Sequence, residues 1–347
     1  MINNLTGLRF FMAFWVVYYH ASGPFENSFL MPVIENGYLG VDVFFVLSGY
    51  ILTHVYYDKF FIEKNNLQAG WTFIKRRFAR IYPLHLATLL GAIVYMTTMR
   101  KLVGAYEYMP FDQIWKHATL IHAWGTIDGL ISWNFPSWSV SAEWFAYLVI
   151  FPLAHLSYRL LKLNGFILFA LTIFIGYALL TFYYFNNNVG SQLTTGALRI
   201  IPEFLLGAAS YISFQKGSKN ARILLIALWT VTAIVLTYTL DNYQYAFILA
   251  VSMILVLLQK GNKILNVIFG HKIIVYLGEI SYSIYMVHFF SRAITGIVAN
   301  NISIVQNSAV LFVMIYTLLT LVFSYLTYNL IEVPARSFIN NFKLTKS

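Results

Sequence analysis

Ten stretches of mostly apolar residues run through this chain, at about 5–22, 38–57, 77–98, 138–160, 164–185, 194–214, 221–240, 243–259, 273–298 and 307–332. Each approaches the roughly 20 residues needed to cross a hydrocarbon core, and in lipid such a segment satisfies its backbone only as a helix. Charged residues make up 10% of the 347 positions, against about a quarter in soluble domains, so a water-soluble core cannot account for the pattern. The pattern predicts an all-α polytopic membrane protein with about ten transmembrane helices. The stretch 112–131 is too short and too polar to join them and reads as re-entrant or interfacial. With no linker in view, residues 1–335 form a single transmembrane domain and 336–347 a short basic tail. Met1–Asn4 is polar and uncharged and no small-residue cleavage site follows, so no cleavable signal is expected.

The basic residues set the orientation. Seventeen of the 23 lie in loops of one parity or in the tail. They include Lys59, Lys64, Lys75, Arg76, Arg77 and Arg80 after the second segment, and Arg336, Lys343 and Lys346 at the end. The opposite loops hold only Arg100, Lys101 and Lys116, and Arg9, Arg199 and Arg292 lie inside spans. The positive-inside rule then puts both termini in the cytoplasm. It also explains the net charge of +10 without nucleic acid, which is excluded as a partner because no aromatic-interleaved basic patch exists. The absence of cysteine rules out disulfides, thiolate metal sites and a cysteine nucleophile.

Ionisable groups inside hydrocarbon are costly and usually functional. Arg9 and His20 lie eleven residues apart on the first helix, which is three turns, so they share a face about 16 Å apart. Asp42, on a helix of opposite direction, falls at a depth similar to His20, where a carboxylate would fix the imidazole's tautomer. Ser139 and Glu143 share a face at i, i+4, as do Arg199 and Glu203, and His288 and Arg292. The outer and middle half therefore collects an acid–base cluster, while Arg9, Arg76, Arg77, Arg80 and Glu332 form an inner basic rim suited to phosphate. Other readings stay open from spacing alone. Arg76 and Arg77 also fit as positive-inside anchors, His20 as a core histidine, and Arg199–Glu203 as an intrahelical ion pair. His85, His117 and His122 read as loop or helix-end residues without a role. A proton-coupled flippase or exporter of glycan intermediates would use the same intramembrane charges, although it has no need of the basic rim.

Six motifs narrow the choice: Leu5-Thr6-Gly7-Leu8-Arg9 with His20, Gly40 to Tyr50, Arg76 to Pro83, Ser137 to Glu143, Leu277 to His288, and Ile331 to Arg336. In this order the chain resembles the type-3 membrane acyltransferases. The opening carries Thr6 where that family often has Asp. The resemblance implies an O-acyltransferase of the bacterial inner membrane that moves an acyl group, commonly acetyl, from cytoplasmic acetyl-CoA to a hydroxyl of a surface glycan or lipid-linked saccharide, without a metal. The extracytoplasmic hydrolase-like domain of some members is not expected here. The expected roles are His20 as general base oriented by Asp42, with Glu143 as positioner. Arg9, Arg76, Arg77 and Arg80 would bind the CoA phosphates. Ser139, Arg199, Glu203, His288 and Arg292 would contact acceptor or oxyanion.

Overall fold

A computed structural model of the chain describes residues 2–62, 67–106, 109–125, 133–185 and 196–342. The expectations for Lys64, for 126–131 and for Lys343 and Lys346 fall outside these residues. Among the described residues the chain is helical. Its principal helices are α1 (Asn3–Tyr19), α2 (Leu39–Tyr56), α3 (Leu67–Val103), α4 (Ser137–Phe145), α5 (Phe151–Tyr184), α6 (Gly196–Gln215), α7 (Lys219–Leu240), α8 (Tyr243–Lys260), α9 (Lys272–Glu279), α10 (Ser281–Asn301), α11 (Ala309–Thr327) and α12 (Val333–Asn341).

Seven helical stretches among the described residues are long and apolar enough to cross a membrane, or eight if α9 and α10, bent by 66°, make one span. The expected segments map onto these stretches unevenly. Segments 138–160 and 164–185 fall within one 48-residue stretch from Ser137 to Tyr184. That stretch breaks at Lys162, where the backbone turns to φ 58° and ψ −175°. Segment 5–22 is the 17-residue α1. The part of 112–131 that is described forms a 3-10 turn at Phe111–Gln113 and a short helix at Ile114–Ala118. Residues 336–341 lie within α12, which packs on α3, where Lys75 Nζ donates to the carbonyls of Asn340 (3.1 Å) and Phe342 (2.5 Å).

Between apolar helices in lipid there is little hydrophobic drive, so close packing decides which faces meet. Small residues permit it here. Helices α2 and α6 cross where Gly49 and Gly207 face one another's partner backbone. A Cβ at Gly49 would lie 2.0 Å from the Phe204 carbonyl oxygen, and one at Gly207 would lie 2.0 Å from that of Val46. Around this crossing sits the main core, with Phe45, Tyr50, Phe151, Phe204 and Tyr245. Lipid-facing sides keep apolar residues exposed, as with Val94 on α3 and Val310, Met314 and Leu318 on α11. An outward-facing apolar surface of this kind marks the chain as a multi-pass membrane protein.

Candidate active site

A cavity of about 340 Å³ opens among α1, α2, α3, α4 and α10, within the range typical of small-molecule sites. Arg9, Arg77 and Arg80 line it together with Ser48, Ser139, Glu143, Tyr147, Tyr282 and Tyr285. Four of the residues expected from sequence as rim or cluster members beyond Arg9 thus meet in one space: Arg77, Arg80, Ser139 and Glu143.

The arginines are held differently. Arg80 pairs with Glu332, a carboxylate that is 1% exposed and also accepts from Ser283 Oγ at 3.0 Å. Arg77 lies between aromatic rings, 5.8 Å from the centroid of Tyr56 and 5.9 Å from that of Tyr147. Its Nε is buried and has no hydrogen-bond partner among the described residues. The side chain nevertheless lines the cavity, and guanidinium geometry suits phosphate oxygens. Arg76, one position earlier, is exposed and absent from the cavity wall. Arg76 and Arg80 share a helical face at i, i+4, but that face is not the one that meets the cavity. The pair that does is Arg77 and Arg80, at i, i+3.

Glu143 accepts from Ser48 Oγ at 3.2 Å and from the Tyr147 hydroxyl. Ser139 does not pair with Glu143; its Oγ donates to the Tyr285 hydroxyl at 2.8 Å. Tyr285 in turn leads to two histidines. Its carbonyl oxygen lies 2.5 Å from His288 Nδ1, and the His288 ring stacks on that of His20, with centroids 5.1 Å apart and planes 17° from parallel. Arg292, a turn further along α10, is exposed. The first and ninth expected segments thus do converge at His20 and His288, two residues that sequence spacing alone could not bring together.

Asp42 is not the partner of His20. Both its oxygens are engaged by Arg199, Oδ1 at 2.8 Å from Nε and Oδ2 at 2.6 Å from Nη2. Nor do Arg199 and Glu203 form an intrahelical pair; the fully buried Glu203 is set against Asp42 instead, with Arg199 turned to α2. Arg199 makes its two-point contact with one carboxylate, and Asp42 takes it, leaving both Glu203 oxygens without a hydrogen-bond partner among the described residues. The trio Asp42, Arg199 and Glu203 lies outside the cavity wall. Sequence reasoning passed over Ser48, Tyr147 and Tyr285, since a depth map of charges ignores neutral hydroxyls. Tyr147, at i+4 from Glu143, was the signal available.

A family model described as an acyltransferase domain matches residues 2–329. Acyltransferase MdmB of Streptomyces mycarofaciens is 35% identical over 170 residues, covering 46% of this chain and 40% of that protein. O-acetyltransferase OatA of Staphylococcus aureus is 27% identical over 233 residues, covering 65% of this chain and 33% of its own length. A protein from Rhizobium radiobacter, named as protein 2 in the picA locus, is 39% identical over 85 residues, 24% of this chain and 40% of that protein. The chain therefore spans 40% or less of the length of each of these relatives. No solved structure matches it. With a match over nearly its whole length, the chain belongs to the acyltransferase-domain family.

Proposed function

We propose that this protein is an O-acyltransferase of the bacterial inner membrane, crossing it ten times with both termini in the cytoplasm. It moves an acyl group, acetyl by preference, from acyl-CoA to a hydroxyl of a surface glycan or lipid-linked saccharide. The observation that carries the reading is the continuity of one cavity. Arg77 and Arg9 line it together with Ser139, Glu143 and Tyr285, and just beyond its wall Tyr285 is bonded to His288, on which His20 stacks. Family membership and the relatives named as acyltransferase and O-acetyltransferase support the same chemistry.

In this reading Arg77 and Arg9 hold the CoA phosphates, and Arg80 joins them to the extent that Glu332 releases it. Arg76 adds positive charge at the mouth. Glu143, held by Ser48 and Tyr147, orients the acceptor. His20 takes the proton from the acceptor hydroxyl as its oxygen attacks the thioester carbonyl, a contribution commonly worth about 10²–10⁴-fold. The C–S bond then breaks and His20 returns the proton to the departing sulfur. Arg292, and Ser139 once it releases Tyr285, are the groups offered to the developing oxyanion. Asp42, Arg199 and Glu203 hold α2 to α6 and take no part in the chemistry.

The test uses purified protein in nanodiscs. Acetyl-CoA should raise its melting temperature, as a ligand that binds only the folded state must. Membranes containing the protein should release CoA and label surface glycan with acetyl, detected by mass spectrometry. His20→Ala should abolish both release and labelling while keeping the thermal shift. Retained labelling by that variant would sink the assignment of the base. Absence of both shift and release in the wild type would favour transport of a glycan intermediate instead.

A further inference from the structure

His20 lacks the carboxylate partner that its depth suggested, because Arg199 occupies both oxygens of Asp42. What surrounds His20 is aromatic. Phe135 meets its ring edge-on, with centroids 5.4 Å apart and planes at 86°, Tyr19 approaches at 5.0 Å and 63°, and His288 lies against its face. Among these neighbours His288 is fixed by a hydrogen bond as well as by packing. It is 2% exposed, and its Nδ1 sits 2.5 Å from the Tyr285 carbonyl. A carbonyl oxygen only accepts, so Nδ1 carries a proton and, in the neutral ring, Nε2 has none. The neutral ring therefore has a single tautomer and a single plane, and offers no N–H to an oxyanion. Rings stacked face to face do not exchange an in-plane hydrogen bond. Whatever His288 does for His20 passes through the ring face and sets the plane in which the His20 nitrogens point.

We propose that His288 is the positioning residue of the transfer centre, a pinned imidazole on which His20 stacks so that a His20 nitrogen meets the acyl-accepting hydroxyl. This rests on the acyl-transfer reading with His20 as base. A general base acts within hydrogen-bond reach of its proton, and a displacement of about 1 Å can cost about 10²-fold in rate. The contribution of His288 therefore falls on kcat, with donor affinity left to the arginines.

The chain contains no cysteine, so any thiol that appears during turnover is released CoA. The full chain in nanodiscs is given acetyl-CoA with water as acyl acceptor: the water oxygen bonds to the acetyl carbon, the C–S bond breaks, and acetate and CoA thiol leave. His288→Ala should lower kcat by about 10–100-fold with KM for acetyl-CoA unchanged. His288→Phe, which keeps a flat ring, should retain at least a third of the wild-type kcat. In a His20→Ala background, added imidazole should restore turnover when position 288 is His or Phe and fail when it is Ala. An unchanged acetyl-CoA thermal shift identifies the folded variants. Equal loss in the Ala and Phe variants would overturn the proposal by showing that the stacked ring face is not what His20 depends on. Unchanged kcat in both would overturn it by removing any role. Wild-type protein that releases no thiol, with water or with native membranes, would overturn the transfer reading and this inference with it.

Discussion

Arg199 clasps Asp42 across the α2–α6 crossing through two nitrogens, at 2.8 and 2.6 Å, with each side chain 1% exposed. Trp138 packs against the guanidinium, 5.4 Å from ring centroid to its central carbon. A buried pair of this kind is costly to break, because removal of one partner strands a charge where water cannot reach. Arg199→Ala should lower stability by about 3–5 kcal/mol. Replacing both residues, as in Asp42→Leu with Arg199→Met, should recover most of that. The measurement is the unfolding free energy in detergent micelles. A single variant as stable as wild type would show that the pair is not what holds the crossing.

Arg77 and Arg80 should separate binding from folding. Loss of a hydrogen bond to a charged group costs about 1.5–3 kcal/mol. Arg77→Ala should therefore raise KM for acetyl-CoA by roughly tenfold or more without moving the melting temperature. Arg80→Ala should lower the melting temperature, since it leaves the buried Glu332 only the longer 3.8 Å contact to Arg336. Steady-state kinetics beside thermal melts of the two variants decide it, and the same pattern in both would refute the division.

Gly207→Ala should prevent the native α2–α6 contact, since its Cβ would lie 2.0 Å from the Val46 carbonyl oxygen and 2.8 Å from the Tyr50 backbone nitrogen. Backbone atoms cannot yield as the end of a side chain can. Gly176→Ala is the control, for nothing lies within 4 Å of the Cβ it would gain. Yield of monodisperse protein on size-exclusion chromatography should collapse for the first and hold for the second.

Acidification should destabilise the loop preceding α4. His117 and His122 stack there with ring centroids 4.2 Å apart, His85 Nε2 lies 2.8 Å from the His117 carbonyl, and His122 meets Ser137 Oγ at 3.2 Å. Burial holds both His117 and His122 below the ordinary value of 6.5, His122 well below it. Folded, they stay neutral, whereas in the unfolded chain they take protons as pH falls through about 6.5. Stability should thus be level above about pH 7.5 and fall below 6.5, by at most about 1.4 kcal/mol per pH unit for each histidine. Melting temperatures from pH 8 to pH 5 measure this, and His122→Asn should flatten the slope. A melting temperature constant across that range would exclude the effect.

The apolar segments and the arginines that line the cavity, Arg9, Arg77 and Arg80, were legible in the sequence, because each depends only on residues of one helix and on the period of that helix. Partner choice between helices was not. Depth placed Asp42 level with His20, but depth does not say which neighbour a helix face meets, and α6 supplied Arg199. Spacing could not choose between Arg76 and Arg77 either, since i, i+4 and i, i+3 from Arg80 both count as one face. The stack of His20 on His288 joins residues far apart in the chain, and neither residue carries a local signal for it.

One further consequence comes from the wide π-turns that interrupt the helical runs at Tyr57–Ile62, Ala146–Ile150 and Tyr328–Glu332. Such a turn is an α-helix carrying one surplus residue, and two of them contain a residue of the site, Tyr147 and Glu332. Excising a single position, Asn329 for instance, would restore regular helical pitch and rotate Glu332 by about 100° relative to the preceding helix, away from Arg80. In sequences of descendants or cousins of this chain, insertions and deletions at these three turns would accordingly retune the arginine rim and the Glu143 corner without replacing Arg77, Arg80 or Glu143 themselves.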